Sequence, residues 1–231
     1  MHEEWSMKTL IRSLVLSRAF QSSGAPAKLS RVKDPDNMLL SWYPARRAEA
    51  EVIRDSILAV SGRLDATQFG PSIHPFRATA DTEKRLYTGP LDGDGRRSVY
   101  IKFQLMEPPS FLSAFNLPGG KETQGRRDAS NVPAQSLALL NDPFVLAMAD
   151  YWATRLVMER SDPTISARAE HMFRRALGRS PNTAELARFA EAIENFAGIH
   201  GIGPAEIMNS KAVWNDAAHA LFNFKEFIFV P

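Results

Sequence analysis

The chain has 231 residues, with 28 Lys or Arg against 26 Asp or Glu, 44% hydrophobic residues and no cysteine. Without cysteine there is no disulfide framework, no thiolate zinc or iron–sulfur site and no CxxCH haem attachment. The near balance of charge, spread along the chain, predicts no nucleic-acid partner, and no apolar run approaches the ~18 residues of a membrane span. The first residues also lack the pattern of a signal peptide.

The first part, residues 5–65, predicts two helices. Ser6 can cap the first helix, and its apolar residues recur at i, i+3, i+4, i+7 and i+8. The second helix is predicted to begin near Pro44, a residue suited to a first helical turn, and to end at Gly62. The stripe of the first helix consists of Met7, Leu10, Ile11, Leu14 and Val15.

The middle part, residues 66–132, is predicted to be rich in loops and to hold short strands. Glycine and proline interrupt the helical periods, whereas residues 98–103 alternate between apolar and polar side chains and predict a strand. Its partner would be either residues 84–88, through a hairpin, or the β-prone run at 227–230. Ordered loops as long as residues 66–97 and 107–133 are usually functional or covered by a partner.

The last part, residues 133–231, predicts a series of helices with clear boundaries. Asp142-Pro143 reads as an N-cap and a first-turn proline, and Gly178 as a C-terminal stop. Asn182 and Glu185 have the spacing of a capping box. The predicted fold class is therefore mainly α, a multi-helix bundle-like array with a small β-hairpin and two long ordered loops, in a single domain over residues 1–231.

The sequence carries none of the standard catalytic motifs. There is no GxSxG, GxxxxGK[ST], GxGxxG after a strand, or HExxH, and no two of the five histidines stand at i, i+4. We therefore predict no metal site and no cofactor in this chain. His74 lies in the constrained loop GPSIHPF and is a candidate ligand-binding residue.

The second predicted helix carries Arg47, Glu51, Arg54 and Asp55 within two turns of one another. Three interpretations stay open: a solvated face with ion pairs, a half-buried network that holds the loops, or contact with a substrate. In the third, Glu51 and Asp55 are candidate acid/base residues, although carboxylates at i, i+4 are common on helices.

The basic residues include 20 arginines and 8 lysines, and eight of the arginines form four doublets. Guanidinium groups pair in bidentate fashion with carboxylate, sulfate or phosphate. Two doublets follow a glycine in the loop-rich part, at residues 95–97 and 125–127, where they would either bind an anion or hydrogen-bond loop carbonyls. The doublets are Arg46-Arg47, Arg96-Arg97, Arg126-Arg127 and Arg174-Arg175.

Six segments resemble, in order, the family known as domain of unknown function 1553. They are WSMKTLIRSLVLSRAFQSS, DPDNMLLSWYPARRAEAEVIRDSILAVSGRLD, RRSVYIKF, GRRDASNVPAQSLALLNDPFV, FRRALGRSPNTAELARF and NDAAHALFNFKEFIFVP. The resemblance implies a planctomycete-type domain that stands C-terminal to a cytochrome c-like module and a second domain of unknown function. It implies no established catalytic residues, and Ala217-Ala218 stands where relatives often have a cysteine, so no thiol-dependent role is expected.

The matching motifs hold polar residues that are candidates for ligand binding. With those argued from the loops, the full set is Arg46, Arg47, Arg96, Arg97, Arg126, Arg127, His74, Gln135 and Asn141. Two functions remain open: a non-catalytic interaction or scaffold module of a larger cell-envelope protein, or a hydrolase or binding domain for anionic polysaccharide with an arginine-lined cleft. Partners would be other domains or chains of an envelope assembly, or an anionic glycan, and the resemblance points to the periplasm or cell envelope.

Overall fold

The computed structural model describes residues 5–24, 26–105, 107–159 and 162–230. Its backbone divides into two compact units, the first formed by Met1–Arg47 with Phe229–Pro231 and the second by Ala48–Ile228. Within the described residues the chain forms ten α-helices and one pair of short strands, which confirms the mainly α fold. In the same residues, no helix is both long and apolar enough to cross a bilayer.

The first unit contains helices α1 (Met7–Val15) and α2 (Lys28–Lys33) and the antiparallel strands β1 (Arg46–Arg47) and β2 (Phe229–Val230). Ser6 caps α1 as predicted, because its hydroxyl accepts a hydrogen bond from the Thr9 N–H. The apolar stripe of α1 is present, but none of its side chains is buried.

The second unit contains most of the helices. Asp142 caps the sixth helix, Gly178 ends the seventh in the left-handed conformation, and Asn182 and Glu185 form the predicted capping box. Gly62 ends the third helix, as predicted. That helix begins at Ala50, however, and not near Pro44 as predicted, because Arg46 and Arg47 form strand β1. The helices are α3 (Ala50–Ser61), α4 (Ser110–Ala114), α5 (Pro133–Asn141), α6 (Pro143–Met158), α7 (Ile165–Leu177), α8 (Thr183–Ile199), α9 (Lys211–Phe222) and α10 (Lys225–Ile228).

The core of this unit forms where α6 packs against α9 and α3, while α7 and α8 pack against each other and against α9. Met148, Trp214 and Phe222 are fully buried there. The indole N–H of Trp214 donates to the carbonyl of Ile207 at 2.9 Å, so the buried ring leaves no polar atom without a partner.

Only one of the two strands of the small β element lies where the sequence predicted β structure. Ser98–Tyr100 is a 3-10 turn, and Ile101 makes only an isolated bridge with Ile73. The predicted strand at 98–103 is wrong because the N–H of Ser98 donates to the carboxylate of Asp55, which takes it out of any strand ladder. The β-prone end of the chain does form a strand, and its partner is β1.

Candidate functional site

An open cleft of about 690 Å³ lies along one side of α3 in the second unit. Its polar wall includes the two carboxylates that the sequence analysis singled out, Glu51 and Asp55, with Glu49, Arg97 and Ser98. The rest of the lining is mainly apolar and comes from α3, from the irregular segment after it, and from α4 with the residues next to it: Val52, Ala59, Leu64, Val99, Ile101, Phe103, Pro109, Leu112 and Leu117.

Glu51 is held by an arginine from a distant loop. Both terminal nitrogens of Arg127 donate to its carboxylate, at 2.7 and 3.0 Å, and one of them also lies 3.2 Å from Glu49. Burial raises the pKa of Glu51, but hydrogen bonds from Arg127 and from backbone, together with the Arg127 charge, outweigh it and leave the pKa below its usual value. Glu51 is therefore ionised and paired at neutral pH.

Asp55 is occupied by a different set of donors. One carboxylate oxygen accepts from both the N–H and the hydroxyl of Ser98, each at 2.7 Å. The guanidinium groups of Arg54 and Arg97 stand 3.7 and 3.5 Å away. Ser98 is not among the predicted site residues, because its alternating neighbourhood predicts a strand and a serine in a strand gives no sign of a distant carboxylate partner.

Arg54 is buried beneath the cleft and connects α3 to the loops. It donates to the carbonyl of Arg96 at 3.0 Å, to the carbonyl of Asp92 at 2.6 Å and to the hydroxyl of Ser98 at 3.2 Å. Burial lowers its pKa to about 10, so it remains charged at neutral pH. These bonds make the polar face of α3 a half-buried network that holds the irregular segment in place.

The two Gly-Arg-Arg units differ in their surroundings. Arg96 stacks on Tyr100, with 4.0 Å from its guanidinium carbon to the ring centroid, and donates to the carbonyl of Phe69 at 2.6 Å. Arg97 is more than half exposed at the rim of the cleft. In the Gly-Arg-Arg segment at 125–127, Arg127 binds Glu51. Arg126 is exposed and makes no hydrogen bond or ion pair within the described part of the chain.

Two further arginine candidates, Arg46 and Arg47, form strand β1 of the first unit. The guanidinium of Arg46 lies over the ring of Tyr43, 5.2 Å from its centroid. These two residues therefore belong to a different compact unit from the residues that line the cleft.

His74 lines a second cavity, of about 280 Å³, together with Arg77 and three phenylalanines. Its ring meets Tyr87 edge to face, with centroids 5.4 Å apart, and its buried Nδ1 has no hydrogen-bond partner in the described residues. Asp142 also lines this cavity, and burial raises its pKa although it accepts the helix-capping bond from Phe144. The structure thus places His74 apart from the carboxylates of the cleft.

Gln135 and Asn141 have local partners. Gln135 is buried and donates to the carbonyl of Ser130 and to the side chain of Asn116, at 3.2 and 3.3 Å, which ties the start of α5 to the preceding loop. Asn141 donates to the carbonyl of Leu137 one turn back in the same helix, at 3.1 Å. In the described segments no group of three His, Asp or Glu side chains could hold a metal ion.

Comparison with known proteins identifies a family. The model of a family described as PSD1, protein of unknown function (DUF1553), matches residues 1–193. No curated protein and no solved structure matches the chain significantly. Because the family match spans well over half of the 231 residues, the chain belongs to the DUF1553 family of proteins of unknown function.

Proposed function

We propose that this chain is a non-catalytic interaction module of a larger cell-envelope protein, and that the cleft beside α3 binds an extended polypeptide segment of a partner. The observation that carries the proposal is the combination of carboxylates that are already paired within the chain with an exposed apolar lining. The apolar lining can exclude water from a bound partner, whereas Glu51 and Asp55 are already paired with Arg127 and Ser98.

The engagement of the acids argues against acid–base chemistry. A general acid must hold its proton near the working pH, which requires a raised pKa. The Arg127 ion pair has the opposite effect on Glu51. Asp55 accepts two hydrogen bonds from Ser98 and lies near two guanidinium groups, so this carboxylate stabilises the wall of the cleft.

The apolar lining favours a polypeptide partner. Val99 is 72% exposed and Val52 is 49% exposed, and both face a concave surface where a partner can remove them from water. Alternate side chains of an extended segment would contact such a surface. The Nε of Arg97 lies 3.5 Å from Asp55, and the side chain is more than half exposed, so the guanidinium can also reach a carboxylate of the partner. The expected occupant is therefore an apolar segment that carries an acidic residue.

Selection from a library of random displayed peptides tests this proposal. The whole chain serves as bait, and a Val99→Arg variant removes peptides that bind elsewhere. Selected peptides should combine apolar and acidic residues, and titration should show about tenfold weaker binding to Val52→Arg and to Arg97→Ala. Leu146→Arg, which changes an exposed apolar residue of α6, is the matched control and should bind like the wild type. Peptides that bind the cleft variants as well as the wild type would refute the cleft as the binding surface.

Anionic polysaccharide is the second candidate, and the exposed Arg126 without a partner in the described residues is the observation that favours it. Heparin and polygalacturonate are the probes, each titrated with the wild type and with Arg126→Ala/Arg127→Ala. Salt-sensitive binding that the double variant loses while it stays folded would favour the glycan over the peptide. Release of reducing ends that Glu51→Gln abolishes would establish a hydrolase and overturn the non-catalytic proposal.

A further inference from the structure

The beginning of the chain is strongly basic, although the chain as a whole is nearly neutral. No acidic residue lies between Glu4 and Asp34, whereas six basic residues do: Lys8, Arg12, Arg18, Lys28, Arg31 and Lys33. All six are exposed, and within the described residues none of them makes an ion pair. Charge counted over the first 65 residues hides this segment, because eight acidic residues, all before residue 5 or after residue 33, lower the net charge of those 65 residues to +2.

The same segment exposes large apolar side chains. The stripe of α1 has no buried member, and Leu10, Ile11 and Leu14 are each more than half exposed. Trp5 before the helix and Phe20 after it are also largely exposed. Helix α2 repeats the combination on a smaller scale, with exposed Leu29 and Val32 among three cations.

The geometry of α1 separates the two kinds of side chain. At 100° per residue, its five apolar side chains span an arc of about 140°, and Lys8 and Arg12 stand next to the Val15 edge of that arc. Long basic side chains at this border can keep their charge in water while the apolar stripe is covered. Tryptophan at the end of such a stripe is typical of a bilayer interface, where one side of the ring is apolar and the other is wet.

We propose that residues 5–33 bind the surface of an anionic phospholipid bilayer, with the apolar stripe of α1 lying among the acyl chains at the interface and the six cations contacting headgroup phosphates. This goes beyond the proposed function, which concerns the cleft of the second unit. The charge of the segment is complementary to such a surface, and its apolar residues form a stripe on an exposed helix. A short basic amphipathic helix lies in the plane of the interface and does not cross it.

Vesicle binding tests the proposal with the whole chain. Co-sedimentation compares vesicles of pure phosphatidylcholine with vesicles that contain roughly one third phosphatidylglycerol. We expect at least about tenfold stronger binding to the anionic vesicles at low salt, weakened by added NaCl. Binding should also shift the tryptophan emission to shorter wavelength, and Trp5→Phe should remove that shift.

Two pairs of variants separate insertion from simple charge attraction. Leu10→Glu/Leu14→Glu should lower vesicle binding about tenfold or more, while Leu137→Glu/Leu140→Glu, an exposed pair on α5, should leave it unchanged. Lys8→Ala/Arg12→Ala should weaken binding to anionic vesicles, and Lys102→Ala/Lys121→Ala, at exposed positions of the second unit, should not. All these positions are exposed, so circular dichroism should show intact helices.

Three results would overturn the proposal. The first is equal binding of neutral and anionic vesicles, or no binding to either. The second is an unchanged affinity of Leu10→Glu/Leu14→Glu together with full competition by soluble polyglutamate, which would identify a site for acidic protein. The third is an equal loss of binding in the α5 control pair.

Discussion

Arg127 binds the carboxylate of Glu51 through both terminal nitrogens, across a sequence separation of 76 residues. The ion pair fastens an exposed loop to the wall of the cleft. Its side chains are only partly buried, so we expect it to fix the position of the loop more than the stability of the unit.

Loss of this ion pair should loosen the loop. Glu51→Gln keeps both arginines as trypsin sites, and we expect faster cleavage after Arg126 and Arg127, measured by mass spectrometry of timed digests. The free energy of unfolding should fall by under about 1 kcal/mol. Glu170→Gln, which removes an i, i+4 pair with Arg174 on α7, is the control and should leave cleavage of this loop unchanged. Identical loop cleavage in Glu51→Gln and the wild type would contradict the anchoring role.

Replacement of Arg54 should destabilise the second unit strongly. Arg54→Leu leaves the carbonyls of Asp92 and Arg96 without their donor in a buried place, and we expect a loss of roughly 3 kcal/mol in the free energy of unfolding. Urea denaturation measures the change. Arg174→Leu, at an exposed position of α7, should cost less than about 1 kcal/mol. Equal losses in the two variants would show that the network beneath the cleft has no special role.

The glycines of the two Gly-Arg-Arg units should respond differently to alanine. Gly95 has φ +73°, and a Cβ there would overlap the carbonyl oxygen of Arg63, whereas nothing lies within 4 Å of a Cβ at Gly125. We expect Gly95→Ala to destabilise the unit by more than about 3 kcal/mol and Gly125→Ala by under about 0.5 kcal/mol. Thermal unfolding of both variants measures the difference. A tolerated Gly95→Ala would show that residues 63 and 95 do not approach as closely as described.

Acid should weaken the clamp that Arg179 makes with Glu185 and Glu226. Hydrogen bonds from Arg179 lower the pKa of Glu185 from an ordinary 4.5 to about 2. A lowered carboxyl pKa stabilises the fold fully above the ordinary value, and this contribution is lost as the pH falls toward about 2. The Arg179–Glu185 ion pair is partly exposed, so we expect it to contribute under about 1 kcal/mol to the free energy of unfolding.

Urea denaturation midpoints, measured at a series of pH values from neutral down to about 2, test this expectation. The wild type should be more stable than Glu185→Gln at neutral pH, and the titrating part of that difference should vanish near pH 2. Glu191→Gln, at an exposed position of the same helix, should follow the wild type throughout. A difference that grows as the pH falls would have the wrong sign for this ion pair.

The helix boundaries of residues 133–231 could be predicted because local side chains determine them. Asp142 and Asn182 cap helices through bonds to the next few N–H groups, and Gly178 provides the left-handed residue that ends α7. Such bonds span two to four residues and leave a clear pattern in the sequence.

The cleft could be predicted only in part, because long-range contacts build it. The sequence indicated Glu51, Asp55 and the arginine doublets as candidates. The structure places Glu51, Asp55 and Arg97 in the wall of the cleft, and Arg127 binds Glu51. Nothing in the sequence indicated that Ser98, 43 residues from Asp55, would donate two hydrogen bonds to that carboxylate. For the same reason the alternating pattern of residues 98–103 predicted a strand where a turn forms.

The N–H of Ala48 donates to the carbonyl of Ile228 at 2.7 Å, so the first and last residues of the second unit are direct neighbours. The two ends of this unit are therefore adjacent in space. Such an arrangement suits the unit to circular permutation. A short linker could join Ile228 to Ala48, and new termini could be placed among the exposed residues 119–129.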